Sequence, residues 1–250
     1  LCEGNCVIEK GFDSVTIGAV ERYITDTAFA EGWVKAARPA LERSESVGII
    51  GAGPGGLAAA EMLRQKGYQV HVYDRYDRIG GLLIYGIPNF KLEKHIVERR
   101  ANLLIDSGVE FHLQFEIGRD ATLADLRARH DAVLIATGAY KAREIKVPGV
   151  GLDNIFKAMD YLTASNRKGL GDAVPEFDDG TLNAAGKNVV VIGGGDTAMD
   201  CVRTAIRQKA KSVTCLYRRD RSNMPGSLQE VTHAEEEGVS FAWLSAPEAF

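Results

Sequence analysis

The sequence predicts an α/β protein with two units of parallel sheet, each covered by helices. Short apolar runs of strand length alternate with amphipathic, helix-length segments through most of the chain. Two of these runs end in glycine clusters that open straight into a helix, at residues 51–56 and 193–198. The strand–glycine–helix pattern therefore occurs twice, as a loose internal repeat.

Residues 1–45 contain Cys2, Cys6 and a short amphipathic stretch at 19–27, and residues 36–46, with Pro39 and mixed charge, read as a linker. Residues 47–50 form a buried parallel strand ending in glycine. Residues 54–66 have helical periodicity, with Pro54 at the start, where its missing N–H costs nothing. Val70, Val72 and Tyr73 mark a second strand. After a glycine- and apolar-rich stretch at 79–88, a helix is expected over 92–107 and a strand over 109–115. Thr122 caps a short helix ending near Arg129, and 132–136 read as another buried strand. Residues 148–186 are less regular, with one helix near 156–165. The alternation then resumes with strands at 189–192, 213–217 and 239–243 and helices at 197–209 and 227–237. The expected division is residues 1–45, 46–147 and 148–250.

Apolar residues make up 45% of the 250 and charged residues 26%, the composition of an ordinary globular protein. A net charge of −4 argues against broad binding to nucleic acid or anionic membranes. No apolar run approaches the ~20 residues of a bilayer span, and no leader pattern is evident, so a cytoplasmic location is expected. The chain begins with Leu1 and stops at Phe250, just after a strand, and reads as part of something longer.

Gly51-Ala52-Gly53-Pro54-Gly55-Gly56 fits G-x-G-x-x-G between a strand and a helix, the context that motif requires. Gly51 permits the tight turn, Gly53 admits a pyrophosphate, and Gly56 lets helix and strand pack closely. The pyrophosphate would face the free N–H groups of the helix N-terminus. Asp74, at the end of the next strand, is placed to accept hydrogen bonds from ribose hydroxyls. A glycine turn in an unrelated α/β protein remains the alternative. Gly193-Gly194-Gly195-Asp196-Thr197-Ala198 repeats the pattern as G-x-G-x-x-A, with Gly193, Gly195 and Ala198 at its key positions. Here the following strand ends in Tyr217-Arg218-Arg219-Asp220-Arg221, so arginine stands where an NAD site has an acid. Guanidinium groups bind a 2′-phosphate through charge-assisted hydrogen bonds, which favours NADP(H) over NAD(H). The bland alternative is a solvated surface turn. Asp196, at a helix start, is read as that helix's cap. The two units are thus expected to be Rossmann-like, nucleotide-binding domains.

Two fingerprints in one chain, the first for an adenine dinucleotide and the second for NADP(H), are the layout of two-dinucleotide-binding flavoproteins. Residues 80–92, GGLLIYGIPNFKL, resemble the flavin-proximal segment of the glutamate synthase small-subunit family. Ala136-Thr137-Gly138-Ala139 resembles a motif near FAD in many such proteins, and residues 217–226, YRRDRSNMPG, are similar to the same family. Each motif alone is shared with relatives such as dihydropyrimidine dehydrogenase. The resemblance implies FAD at the first fingerprint, with Gly81, Leu82, Thr137 and Gly138 beside it, and NADPH at the second. The FAD domain would be split in sequence, with the NADPH domain inserted in it. NADPH would deliver hydride to the flavin, and electrons would pass singly through iron–sulfur clusters to a large (alpha) subunit making glutamate from glutamine and 2-oxoglutarate.

Cys2 and Cys6 alone do not make a cluster site, which normally needs four thiolates or substitutes. By the resemblance they are the last two cysteines of a longer N-terminal set that holds two [4Fe–4S] clusters, in a short helical iron–sulfur-region remnant. A surface redox couple or a disulfide is the other reading. Cys201 and Cys215 are expected in the core, and they lack the C-x-x-C spacing of a dithiol site. Hydride transfer needs no general acid or base beyond the cofactors, so no catalytic residue is nominated. His71, His95, His112, His130 and His233 are scattered in sequence and read as structural or solvent-facing. The competing functional readings are a paralogue feeding electrons to another acceptor, pyrimidine-reducing or ferredoxin-linked, and a nucleotide-binding module without turnover.

Overall fold

The computed structural model describes residue 3 and residues 6–9, 11–142 and 145–250. Two parallel sheets form its frame. After a 3-10 turn at Val7–Glu9, α1 (Ile17–Ala30) lies on the surface and buries none of its residues. It is held from outside, by Arg99 paired with Asp26 at 2.9 Å and stacked 3.9 Å over the Phe29 ring.

The first sheet has the order β3-β2-β1-β4, all parallel, from β1 (Ser46–Ile50), β2 (Gln69–Tyr73), β3 (Glu110–His112) and β4 (Ala132–Ile135). The helix α2 (Pro54–Gln65) connects β1 to β2. Ile49, Val70 and Val72 bury one sheet face against Leu57 and Ala60 of α2 and Leu104 of α4 (Lys94–Asp106). On the other face, Tyr73 packs with Leu126 of α5 (Leu123–Arg129). Thr122 caps α5 as expected, in a reciprocal capping box with Asp125. In the 79–88 stretch, for which no element was expected, Leu82–Tyr85 form one helical turn, α3.

The second sheet has the order β5-β6-β7, also parallel, from β5 (Asn188–Ile192), β6 (Ser212–Leu216) and β7 (Ser240–Ala242). It is reached through α6 (Ala158–Gly169) and a short α7 (Pro175–Asp178). The helix α8 (Asp196–Arg207) is its spine, with Met199, Val202 and Ala205 fully buried. The helix α9 (Leu228–Glu236) adds Val231 and Ala234 to the same core.

Two expectations need correction. Strand β3 is shorter than 109–115, because the chain turns away at Gln114, which takes a positive φ of 56°. Strand β4 is not buried: Leu134 and Ile135 are exposed. Among the described residues it pairs only with β1, at the sheet edge, and of its side chains Val133 reaches the α5 core.

The two units are joined through the 79–92 stretch. Lys91 pairs with Asp200 of α8 at 2.8 Å and lies 3.5 Å from Glu230 of α9. Arg203 and Arg207 of α8 stack over Phe90, 4.8 and 4.2 Å from its centroid. On the other side, Arg78 pairs with Asp172 at 2.6 Å, and Asn166 of α6 donates to the Tyr85 carbonyl at 2.9 Å. Leu104, at 1% exposure, fastens α4 to the first sheet. Leu104→Ala is expected to lower unfolding stability by about 2–5 kcal/mol in a denaturant titration, through lost transfer energy and a residual cavity.

Candidate functional site

Both glycine turns lie where a strand ends and a helix begins. In the first, Gly51 has φ 113°, and a Cβ there would overlap the Ala136 carbonyl oxygen; a Cβ on Gly56 would overlap the Gly51 carbonyl. These two glycines are required by the protein's own packing. Gly53 is not: its φ of −79° suits any residue, and a Cβ on it would meet no atom within 4 Å. Gly53 is also the N-cap of α2, and no side chain caps that end. The orphan N–H groups of the first turn therefore face open space, the arrangement that receives a pyrophosphate.

The other nominated residues gather around this turn. Ala136 donates to the Ile50 carbonyl at 2.8 Å, which brings the exposed Thr137 and Gly138 alongside the loop. A Cβ on Gly81 would stand 2.8 Å from the Gly53 Cα, and Leu82 follows as the first residue of α3. Lys94, buried, donates to the carbonyls of Leu83 and Ile87 and so fixes that segment from below. Asp74 has a structural task that the strand pattern does not reveal. It is buried, and its carboxylate accepts from the Ala52 N–H at 2.7 Å and the Tyr76 N–H at 2.9 Å. Each oxygen keeps a lone pair for a ribose hydroxyl. Arg75 and Tyr140 were missed by sequence reasoning. The guanidinium of Arg75 stacks 4.8 Å over the Tyr140 ring, whose hydroxyl lies 3.7 Å from the position of a Gly81 Cβ.

The second turn repeats this geometry. Gly195, the N-cap of α8, has φ −92°, no side-chain cap and no neighbour that a Cβ would meet. Gly193 approaches Ala198, whose Cβ lies 3.5 Å from where a Gly193 Cβ would be. Gly194 is glycine for another reason: a Cβ there would overlap the Tyr217 ring. Asp196 does not cap its own helix. It is the first residue of α8, and its carboxylate accepts the Ser227 N–H at 2.9 Å while Gly226 donates to the Gly194 carbonyl at 2.8 Å. The segment after β6 is thereby drawn over the glycine turn. Within it, Arg221 is committed to Glu235 at 2.6 Å, whereas Arg218 and Arg219 are exposed and make no side-chain ion pair among the described residues.

Two cysteines lie in the core, as expected. Cys201 and Cys215 are buried, and Cys215 donates to the Gly193 carbonyl at 3.2 Å. Burial pushes the Cys201 thiol up to about 12 and the Cys215 thiol up to about 11. Cys6 is half-buried, with its N–H donating to the Glu3 carbonyl at 3.0 Å; Cys2 lies outside the described residues. The histidines are not all scattered. His71, His112 and His130, from β2, β3 and the end of α5, form one cluster.

Two parallel sheets, each presenting a glycine turn and an uncapped helix at its strand ends, define a protein with two dinucleotide-binding folds. Residues 45–250 match the family model described as pyridine nucleotide-disulphide oxidoreductase, and the chain belongs to that family. In sequence it is similar to the glutamate synthase [NADPH] small chain of Azospirillum brasilense, with 68% identity over all of this chain and 52% of that protein. It is also 47% identical to the putative oxidoreductase UacF of Escherichia coli, over 99% of this chain and 39% of that one. The chain spans about half the length of the curated small chains it matches. In fold it is similar to Mycobacterium tuberculosis FprA in complex with NADPH, with a TM-score of 0.65 and 21% identity over 78% of this chain and 48% of that one. No helix among the described residues is long and apolar enough to cross a membrane.

Thiols with such raised pKa values stay protonated and shielded at neutral pH. Alkylation of the native chain at pH 8, mapped by mass spectrometry, is expected to leave Cys201 and Cys215 unmodified, and denaturant to expose both. The raised values stabilise the fold fully below the ordinary thiol pKa, and that contribution fades as pH climbs from about 9 towards 11–12.

Proposed function

We propose that this chain is the electron-input part of an NADPH-dependent flavoprotein of the glutamate synthase small-chain type, with FAD at the first glycine turn and NADPH at the second. One observation carries the reading: the two turns share open glycines and uncapped helix ends but differ in the residues just past the next strand. The first has the buried carboxylate of Asp74, suited to ribose hydroxyls. The second has Arg218 and Arg219, suited to the extra phosphate of NADPH.

The residues present fit both groups. Gly51, Gly53, Gly56 and Asp74 would hold the FAD pyrophosphate and ribose, with Gly81, Leu82, Thr137 and Gly138 beside the flavin end. Gly193, Gly195, Ala198, Arg218 and Arg219 would hold NADPH. When bound, the pair supplies hydride transfer from nicotinamide to flavin and single-electron release from the flavin. The chain's own residues bind and orient. The α3 segment is clamped by Lys94 and by Arg78–Asp172, and the Asp196–Ser227 hydrogen bond holds the arginine loop over the turn. Division into residues 1–45, 46–147 and 148–250 belongs to the same proposal.

Two cysteines cannot complete a four-thiolate cluster, and Cys201 and Cys215 are buried in the second unit. A [4Fe–4S] role for Cys2 and Cys6 would therefore need further ligands, which the family resemblance places in a longer N-terminal cysteine set. The family resemblance supports a large (alpha) subunit as partner, with glutamate made from glutamine and 2-oxoglutarate, in the cytoplasm. The UacF similarity favours one other reading, a paralogue delivering electrons to a different acceptor. Electron delivery from the intact protein to a glutamate synthase large subunit separates the two.

Replacing both Arg218 and Arg219 with alanine in the intact enzyme is expected to weaken NADPH binding by about 1.5–3 kcal/mol for each charge-assisted hydrogen bond lost, with NADH binding nearly unchanged. Equal losses for both nucleotides would defeat the assignment. Gly53→Val is expected to leave the unfolding midpoint of the flavin-free protein nearly unchanged, because its side chain enters open space, yet to abolish flavin retention. Normal FAD content in that variant would remove FAD from the first turn.

A further inference from the structure

The parallel register of β2 and β3 sets His71 directly beside Glu110. Strand alternation then puts His112 on the same face as Glu110. The result is a compact donor set: His71 Nδ1 lies 3.3 Å from His112 Nε2 and 3.4 Å from Glu110 Oε2, and one ligand atom from each of the three residues lies within 4.8 Å of the others. Ligands about 2.0–2.1 Å from a tetrahedral zinc stand about 3.3–3.4 Å apart. Two of the three edges therefore already have the span of a zinc coordination sphere.

The surroundings suit an ion bound from solvent. The Glu110 side chain is 66% exposed and that of His71 21%, so the donor set opens outward. Behind it His130 is occupied: its Nδ1 lies 3.0 Å from Ser46 Oγ and its Nε2 2.9 Å from Tyr73 Oη. Its ring also fills the space a Cβ on Gly48 would need, which explains a glycine in mid-strand. Tyr73 stacks on His112, with centroids 4.5 Å apart, and fixes that ring. Arg129 is a positive charge near His112, and the Glu110 carboxylate counters it.

We propose that His71, Glu110 and His112 form a binding site for one divalent transition-metal ion of the zinc class, pinning β2 to β3, with the fourth position left to water. Nothing in the nucleotide chemistry requires this site, and it stands independently of the cofactor reading.

The test uses the full chain without a purification tag, carrying Cys2→Ser and Cys6→Ser so that thiolates cannot capture the metal. After dialysis against EDTA, zinc chloride is titrated calorimetrically. One equivalent per chain is expected, with affinity lowered about tenfold or more by His71→Ala, His112→Ala and Glu110→Gln, and unchanged by His95→Ala. Zinc is also expected to raise the unfolding temperature of the parent and not of Glu110→Gln. Because Glu110 is largely exposed, that variant tests the site without disturbing the core. No saturable zinc binding overturns the proposal, as does binding that survives Glu110→Gln and His112→Ala unchanged. A hydrogen bond between His71 and His112 would then account for the cluster.

Discussion

The close approach of α2 to the end of β1 is the constraint on which the first unit depends. Gly56 sits against the Gly51 carbonyl, and Gly51 against the Ala136 carbonyl, with no room for a side chain at either. That packing directs the α2 N-terminus past the sheet end with its backbone donors uncapped. It also brings Thr137 and Gly138, distant in sequence, beside the same turn. Asp74 closes the arrangement by accepting the Ala52 N–H, so the acid after β2 and the turn after β1 form one hydrogen-bonded unit. A ligand arriving there meets donors already positioned, with little left to reorganise.

The second unit reaches a similar end by different contacts. Its glycine turn is crowded by the Tyr217 ring rather than by a neighbouring strand, and its arginine loop is tied back through Asp196 and Gly226. The Asp196 carboxylate at the start of α8 is engaged by the Ser227 N–H and does not cap its own helix. The loop also sorts its arginines: Glu235 takes Arg221 and leaves Arg218 and Arg219 to solvent. The ion pair of Lys91 with Asp200 and the stacking of Arg203 and Arg207 on Phe90 then connect the two units through the segment nearest the first turn.

The fold class, the glycine turns and the contrast between Asp74 and the Arg218–Arg219 pair were legible from the sequence. Each is written in one strand–turn–helix stretch, where residue type and spacing fix local geometry. The burial of β4 is not legible in this way: an apolar run specifies a strand, but whether it is buried depends on what packs on its faces, and among the described residues Val133 alone of β4 joins a core cluster. The partner of Asp196, the structural task of Asp74 and the Arg75–Tyr140 stack were not legible, because each joins residues that only folding brings together.

By itself, then, the sequence determined two dinucleotide-type glycine turns, and the acid or the arginines that follow the next strand. Tertiary structure alone decided that three of five scattered histidines meet. His71, His112 and His130 lie on β2, on β3 and at the end of α5, and their meeting depends on the register of β2 with β3 and the seat of α5 on that sheet face. A one-residue slip would turn the β3 side chains to the opposite face. Periodicity within a segment is a local property that sequence carries. Register between segments is settled by the packing of the whole sheet.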